Sequence, residues 1–175
     1  GDVAYRNYKD GFSIEGNAPN SRVFNCIRIE NGLATAEFDL WIDKSSIPGF
    51  ESDYNIWWNS STATAPVKFI ATKYATLADY IAASGQDAHS LQANPLFADT
   101  SAANFHLRDG SLGIDAALSA IVGWPDTDFD GKPRSDDPAT SNTGAGSVSY
   151  ADRGAFEFVA NNAPTAVLNA DVTYG

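Results

Sequence analysis

The chain has 175 residues, of which 43% are hydrophobic and 19% charged, a composition typical of a globular domain with a real core. Its 22 acidic and 11 basic residues give a formal charge of −11, which argues against nucleic acid as a partner because phosphates need a basic face. No apolar run approaches the roughly 20 residues that a transmembrane helix needs, so no membrane-spanning segment is expected.

Cys26 is the only cysteine, so it forms no disulfide within the chain, and its apolar surroundings indicate a packed thiol rather than a nucleophile. The chain contains no methionine, and no signal peptide precedes its patterned sequence. We therefore expect a segment of a longer chain whose targeting signal lies upstream.

Between Phe12 and Trp58 the sequence predicts short strands separated by turn residues, because apolar and polar side chains alternate with a period of two. A sandwich would give the same local pattern. Asn25 and Asn31, however, fall on the inward parity, and corner asparagines that bond turn backbone favour a coiled solenoid. The residues expected to line one continuous core, in parallel strands, are Phe12, Ile14, Ile27, Ile29, Phe38, Leu40 and Ile56.

One helix is predicted over residues 76–84. Thr76 can cap it, Asp79 lies in its first turn, and Gly85 ends it. The elements expected after it are a strand and turn within 86–97, a short strand at 105–107, a surface loop over 135–149 and a final strand over 154–159.

Several motifs follow one another in a fixed order: Ser52–Asn59, Gly85–Leu91, Asn94–Phe97, Ser111–Asp115, Asp128–Arg134 and Asp152–Glu157. This order resembles the C-terminal portion of bacterial right-handed β-helix proteins of the pectate-lyase-like superfamily. Its last part is similar to the segment called the choice-of-anchor Q domain. The resemblance implies an all-β fold, in which terminal coils of a right-handed parallel β-helix carry one short capping helix.

The resemblance also sets the expected domains. Residues 1–160 would form the C-terminal coils and their cap. Asn161–Val167 is similar to the opening of a PKD-type β-sandwich, so residues 161–175 would be a linker and the start of a following PKD-like domain.

The function implied by the resemblance is that of a secreted or surface-displayed carbohydrate-active protein, polysaccharide lyase-like or hydrolase-like. The partners would be a polysaccharide and further domains of the same parent chain, and the location extracellular or on the cell surface. This part would be mainly structural or substrate-contacting, since catalytic grooves in such proteins usually lie on earlier coils. The alternatives are a non-enzymatic adhesion or surface-display module and, as a third option, a complete enzyme. No compact Lys, Arg and His set identifies catalytic residues.

Three aspartates suggest a metal site. Asp126, Asp128 and Asp130 alternate before Gly131, which resembles an acidic calcium loop, where oxygen ligands converge and glycine permits a sharp turn. Calcium is therefore a candidate cofactor. In the alternative interpretation, Asp128 or Asp130 pairs with Arg134 and caps turn amides as a structural clasp.

Two tryptophans suggest a sugar platform. The alternation places Trp41, together with Asp39 and Asp43, on the outer face of its strand. It places Trp57 on the outer face of its own strand. Sugar faces stack on aromatic rings while carboxylates accept hydroxyl bonds. The alternative places one or both tryptophans under the helix at 76–84.

His89 lies two residues after Asp87 and next to Ser90. Asp87 could contact His89 because residues i and i+2 of a strand share a face, whereas Ser90 would point away. A catalytic triad is recognised by geometry that adjacency does not supply, so we predict a structural histidine.

Overall fold

The structure is a computed structural model and describes residues 1–35, 37–60 and 67–160. Short strands dominate it, with one α-helix, α1, at Leu77–Ser84 and two 3₁₀ turns at Lys44–Ser46 and Thr100–Ala102 among the described residues. The strands are β1 Val3–Tyr5, β2 Phe12–Ile14, β3 Arg22–Phe24, β4 Ile27–Ile29, β5 Leu40–Ile42, β6 Glu51–Asp53, β7 Ile56–Trp58, β8 Val67–Phe69, β9 Thr72–Tyr74, β10 Leu91–Gln92, β11 Phe97–Asp99 and β12 Asn104–Leu107.

Three sheets are built by pairing strands that are distant in the chain. Sheet A has the order β1-β4-β7-β10, sheet B the order β2-β5-β8-β9, and sheet C contains β3 and β6. Pairing is parallel throughout except between β8 and β9, and Ile27 of β4 lies between Val3 and Ile56 in register. A separate antiparallel pair joins β11 and β12. The predicted parallel stacking of the early strands is thus confirmed, and the fold is mostly β with one short helix.

Buried asparagines close the corners between strands. Asn25, at a φ of 58°, donates from Nδ2 to the Leu118 carbonyl and accepts the Leu118 N–H at Oδ1. Asn31 donates to the Ala4 carbonyl and accepts the Asn7 N–H. Asparagine tolerates the left-handed conformation and its amide bonds backbone groups that a turn leaves unpaired. The expectation that inward asparagines satisfy backbone is confirmed.

Sheet A separates two apolar clusters. The inner core takes side chains from all three sheets and from α1, and the outer core lies between sheet A and residues that follow β10. The inner core consists of Val23, Cys26, Leu40, Ile42, Phe50, Trp57, Val67, Leu77 and Tyr80. The outer core consists of Ile27, Ile29, Ile56, Phe97, Leu107 and Ile114.

The expectation of one continuous core was therefore wrong for strands β4 and β7. Leu40 belongs to the inner core and Phe12 packs against it, as predicted, but Ile27 and Ile56 belong to the outer core. Later chain covers the second face of sheet A, so β4 is buried on both faces. In such a strand, alternation cannot distinguish the inside of the stack from the outside.

Helix α1 confirms the prediction for residues 76–84. The Thr76 hydroxyl accepts the Asp79 N–H at 3.1 Å, and Gly85 ends the helix at a φ of 71°. Its Tyr80 ring lies 5.3 Å from the ring of Trp57, centroid to centroid, which anchors the helix on the inner core. No helix within 1–35, 37–60 and 67–160 has the length and apolar character needed to cross a membrane.

Residues 93–160, here called the closing segment, cover sheet A. Arg153 donates from Nε to the Ala116 carbonyl at 2.7 Å and from Nη1 to the Asn55 carbonyl at 3.2 Å. The Gly154 N–H donates to the Asn25 carbonyl, and a Cβ on Gly154 would lie 2.8 Å from Cδ1 of Ile27. The segment is thus fastened to two corners of the stack, and the φ of 96° at Gly154 favours glycine at the second contact.

The predicted strand at 154–159 was wrong, because the segment is irregular there. The N–H groups of Glu157 and Phe158 donate to the carboxylates of Asp128 and Asp152 instead of to a neighbouring strand. The strand at 105–107 and the irregular loop over 135–149 are as predicted. The expected PKD-like start, 161–175, lies outside the described residues.

Candidate functional site

The predicted sugar platform does not form one exposed surface. Asp39 and Trp57 are both 0% exposed, so assigning them to the outer face was wrong. Trp57 packs against Tyr80 of α1, which confirms the alternative that one tryptophan lies beneath the helix. As in β4, the alternation in β7 did not reveal which face points to the inner core. Trp57 faces the inner core, and Ile56 faces the outer core.

Trp41 and Asp43 remain partly exposed. The Lys68 ammonium lies 3.5 Å from the centroid of the Trp41 ring, so a cation already covers one ring face. Asp43 accepts the N–H groups of Gly16 and Ser46. These bonds, that from Gly16 first, lower the pKa of Asp43 to about 2. Both side chains therefore have structural partners in place.

The acidic loop forms a clasp around Asp128. Its two carboxylate oxygens accept the N–H groups of Lys132 and Glu157, and the side chain is buried. The Arg134 guanidinium donates to Glu157 at 2.6 Å and to the carbonyls of Pro125 and Thr127. Asp128 therefore caps turn amides, as the clasp interpretation predicted, although Arg134 pairs with Glu157.

The other two aspartates of the loop do not converge with Asp128. Asp126 is exposed, and Asp130 accepts from the His106 ring at 3.1 Å. Among the described residues, no group of three or more His, Cys, Asp or Glu side chains is arranged to hold a metal ion. As arranged, the three carboxylates fit the clasp better than a calcium loop, and calcium binding stays a prediction to be tested.

A buried acidic cluster lies beneath the clasp, which the sequence analysis did not anticipate. Asp115, Asp152 and Glu157 are at most 1% exposed. Burial, followed by the charge of Glu157, raises the pKa of Asp152 to about 8. Burial also raises the pKa of Asp115 to about 6. Asp152 nevertheless accepts the N–H groups of Asp115 and Phe158, so this cluster organises irregular backbone.

The inner core contains a second unanticipated feature, the fully buried Arg28. Its Cζ lies 4.1 Å above the Trp57 ring and 5.7 Å above that of Phe12. Asp87 is 3.9 Å away, and burial lowers the pKa of Arg28 while it raises that of Asp39 to about 7. Charged residues are seldom fully buried, and the position of Arg28 between Ile27 and Ile29 gave no sign that it would be.

His89 pairs with Asp53, which lies on the preceding coil of the stack. Its Nδ1 and its backbone N–H each lie 2.7 Å from a carboxylate oxygen of Asp53, and its ring stacks on Tyr54 at 4.8 Å. Asp87, expected as its neighbour, is buried at a φ of 59° and bonds Ser90 instead. The Asp87–His89 contact was therefore wrong. The pair with Asp53 orients the His89 ring, although the side chain is 61% exposed.

Comparison with protein-family models, curated proteins and solved structures finds no match for this chain.

Proposed function

We propose that the chain is the closing end of a right-handed parallel β-helix from an extracellular carbohydrate-active protein, and that residues 1–160 serve mainly to end the coil stack. The observation that carries this proposal is the difference between the two ends of the sheets. Strands β1, β2 and β3 are edge strands of sheets A, B and C. At the opposite end, β9 and α1 interrupt the succession of coils, and the closing segment covers the outer face of sheet A.

β9, α1 and the closing segment each have a physical role in ending such a stack. An open end of a solenoid exposes unpaired N–H and C=O groups together with core side chains, so terminal units differ from the repeated ones. β9 turns back antiparallel on β8, which stops parallel growth of sheet B. Leu77 and Tyr80 of α1 cover the inner core, and the closing segment covers sheet A.

The carbohydrate class and the extracellular location rest on the order of motifs from Ser52 to Glu157, which resembles that of secreted bacterial β-helix proteins. The charge of −11 is compatible with a solvated surface outside the cell. On this proposal, coils of the parent chain pair with β1, β2 and β3, and any catalytic groove lies on them. The alternative, an adhesion or surface-display module, shares the same closing role.

Hydrogen exchange tests the closing role directly. In the isolated chain we expect slow exchange in β4 and β7, which have a neighbour on each side, and fast exchange in β1, β2 and β3. In a longer parent chain, the same three edge strands should become protected. Edge strands that exchange equally fast in both proteins would contradict the proposal.

Enzyme assays distinguish a carbohydrate-active parent protein from an adhesion or surface-display parent protein. The isolated chain and the longer parent are incubated with uronate-containing and neutral polysaccharides, and products are followed by absorbance and by reducing ends. We expect turnover by the parent alone. A parent that binds glycans or cells without turnover would favour the adhesion alternative, and turnover by the isolated chain would contradict the closing role.

A further inference from the structure

A groove crosses the outer face of sheet C and borders the Asp53–His89 pair, the buried Asp87 and the Leu118 contact with Asn25. Its volume is about 420 Å³, within the range of small-molecule sites. The floor includes Arg22, Phe24, Glu51 and Asp53, and the wall is formed by residues 118–122.

The floor consists of three successive rungs. Register pairs Arg22 with Glu51 and Phe24 with Asp53. The Asp87 N–H donates to the Ser52 carbonyl, so residues 86–88 continue the same stack. Parallel neighbours are about 4.8 Å apart, so polar side chains recur at a short, regular spacing along the groove.

The polar groups of the floor are held in place. Arg22 Nε lies 2.8 Å from Glu51 Oε2, and both side chains are about half exposed. Gln86 accepts the Ser52 N–H at Oε1, which leaves its Nε2 as a donor. Ordered donors and acceptors lose less conformational entropy when a ligand binds.

The wall is apolar and anchored at one end. The amide of Asn25 holds both backbone groups of Leu118, whereas Val122 is 90% exposed. A second cavity of about 220 Å³ shares Arg22, Phe24, Ile121 and Val122 with the first and reaches Gly1 and Asp2. The two cavities form one track that runs along the stack toward the β3 edge.

We propose that this track binds a neutral, linear oligosaccharide lying along the stack. Sugar rings present apolar faces and hydroxyl edges, which match the wall at Ile121 and Val122 and the carboxylates and amide of the floor. A linear chain suits a track better than a single compact ligand does. The inference rests on the proposed function only for the carbohydrate class, because the track exists whether or not the stack extends.

Charge selects a neutral glycan over an acidic one. Two partly exposed carboxylates, Glu51 and Asp53, and one cation, Arg22, line the groove and sum to −1, whereas the Asp87 side chain is buried and lies beside Arg28. Arg22 is already paired with Glu51. A uronate would therefore meet net repulsion and no unpaired cation in the described lining.

Isothermal titration calorimetry of the intact chain tests this site, with cellohexaose, xylohexaose and mannohexaose as neutral probes and hexagalacturonate as the acidic one. We expect at least one neutral hexasaccharide to bind, and hexagalacturonate to bind at least tenfold more weakly at low salt. Glu51→Ala should lower the affinity about tenfold, since it removes a charged acceptor. Val122→Asp should lower it to a similar extent by making the wall polar and more acidic.

Two matched variants control for surface charge. Glu15→Ala removes an exposed carboxylate outside the groove, and Val159→Asp adds one at an exposed valine outside it, so both should leave the affinity within about twofold. Absence of binding by all three neutral probes at millimolar concentration would overturn the proposal. So would equal binding of hexagalacturonate, or affinity unchanged by both groove variants. Hydrogen exchange in the edge strands is independent of these results, so the closing role can fail or survive separately.

Discussion

The inner and outer cores lie on opposite faces of sheet A but accommodate polar groups differently. The inner core encloses the fully buried Arg28, held between aromatic rings and near Asp87. The outer core is apolar, and polar groups such as Arg153 and Asp152 lie around it, bonded to backbone. A stack of paired strands satisfies its own backbone, so its interior can hold an ion by stacking and charge. An irregular segment must use its ions to satisfy its backbone.

The largest effect is expected in the inner core. Trp57→Ala should lower the free energy of unfolding by about 3–5 kcal/mol, because it leaves a cavity and removes the ring beneath Arg28. Urea denaturation measures this loss. Trp41→Ala is the matched control and should cost clearly less, since Trp41 is only partly buried. Equal losses of unfolding free energy would contradict the assignment of Trp57 to the inner core and of Trp41 to a partly exposed position.

The outer core should respond to loss of its fastening. Arg153→Ala removes hydrogen bonds from a charged group to the carbonyls of Ala116 and Asn55, and should cost about 3 kcal/mol. Hydrogen exchange should accelerate in β12 and remain slow in β5. Arg108→Ala, at an exposed position, should change neither. Uniform acceleration in both strands would show that the two cores unfold as one unit.

Acidity should stabilise the closing segment. Because burial raises the pKa of Asp152 to about 8, the folded chain retains a proton that the unfolded chain releases above its ordinary pKa of 3.8. This contribution is complete below about pH 4 and is lost as the pH rises through 8. Asp152→Asn should therefore flatten the fall in stability between about pH 6 and pH 7.5, by about 2 kcal/mol.

The same experiment on Asp39 compares the two cores. Burial raises its pKa to about 7, so its contribution is lost as the pH passes 7. Asp39→Asn should flatten the profile at lower pH than Asp152→Asn does. A wild-type stability that rises steadily from pH 5 to pH 8.5 would contradict both assignments.

The clasp makes a prediction about calcium. Asp128→Ala leaves the N–H groups of Lys132 and Glu157 without their acceptor, and should cost about 2 kcal/mol in the presence of calcium or of a chelator. Thermal unfolding under both conditions measures this. If the loop binds calcium, the unmutated chain will melt higher with calcium than with chelator, and Asp128→Ala will lower the melting temperature only when calcium is present.

The smallest effect is expected at the surface. His89→Ala removes an exposed pair with Asp53 and should cost about 1 kcal/mol. A double-mutant cycle with Asp53→Asn isolates the coupling between the two side chains. The change should affect stability and not turnover. Robust polysaccharide cleavage that disappears in a folded His89→Ala variant would overturn this structural assignment.

Features with a local signature could be predicted from the sequence. The cap at Thr76 and the stop at Gly85 defined α1, because each acts within a few residues of its own backbone. Asn25 and Asn31 marked corners through their residue type, although their partners Leu118 and Ala4 lie 93 and 27 positions away. Parallel stacking was predicted mainly from the resemblance to β-helix proteins, and these corners and the alternation of short strands gave weaker support.

Other features depend on contacts between distant parts of the chain. The orientation of Arg28 and Trp57 depends on whether later chain covers sheet A, and alternation carries no information about that. His89 bonds Asp53, which lies 36 positions earlier. Local spacing suggested Asp87 instead, because a strand geometry was assumed where the backbone turns left-handed.

The attachment of Gly154 to the Asn25 corner has a consequence for how the molecule forms. Asn25, the partner of Gly154, lies far back in the sequence. Arg153 bonds to Asn55 across 98 positions, and Leu118 bonds to Asn25 across 93 positions. Contacts of such long sequence separation form slowly, after local ones. During synthesis the coils emerge from the ribosome before the residues that bond to their corners have been made. Docking of Gly154 on the Asn25 corner is thus a late step of folding, and a ribosome that stalls before Gly154 leaves the coils without this contact.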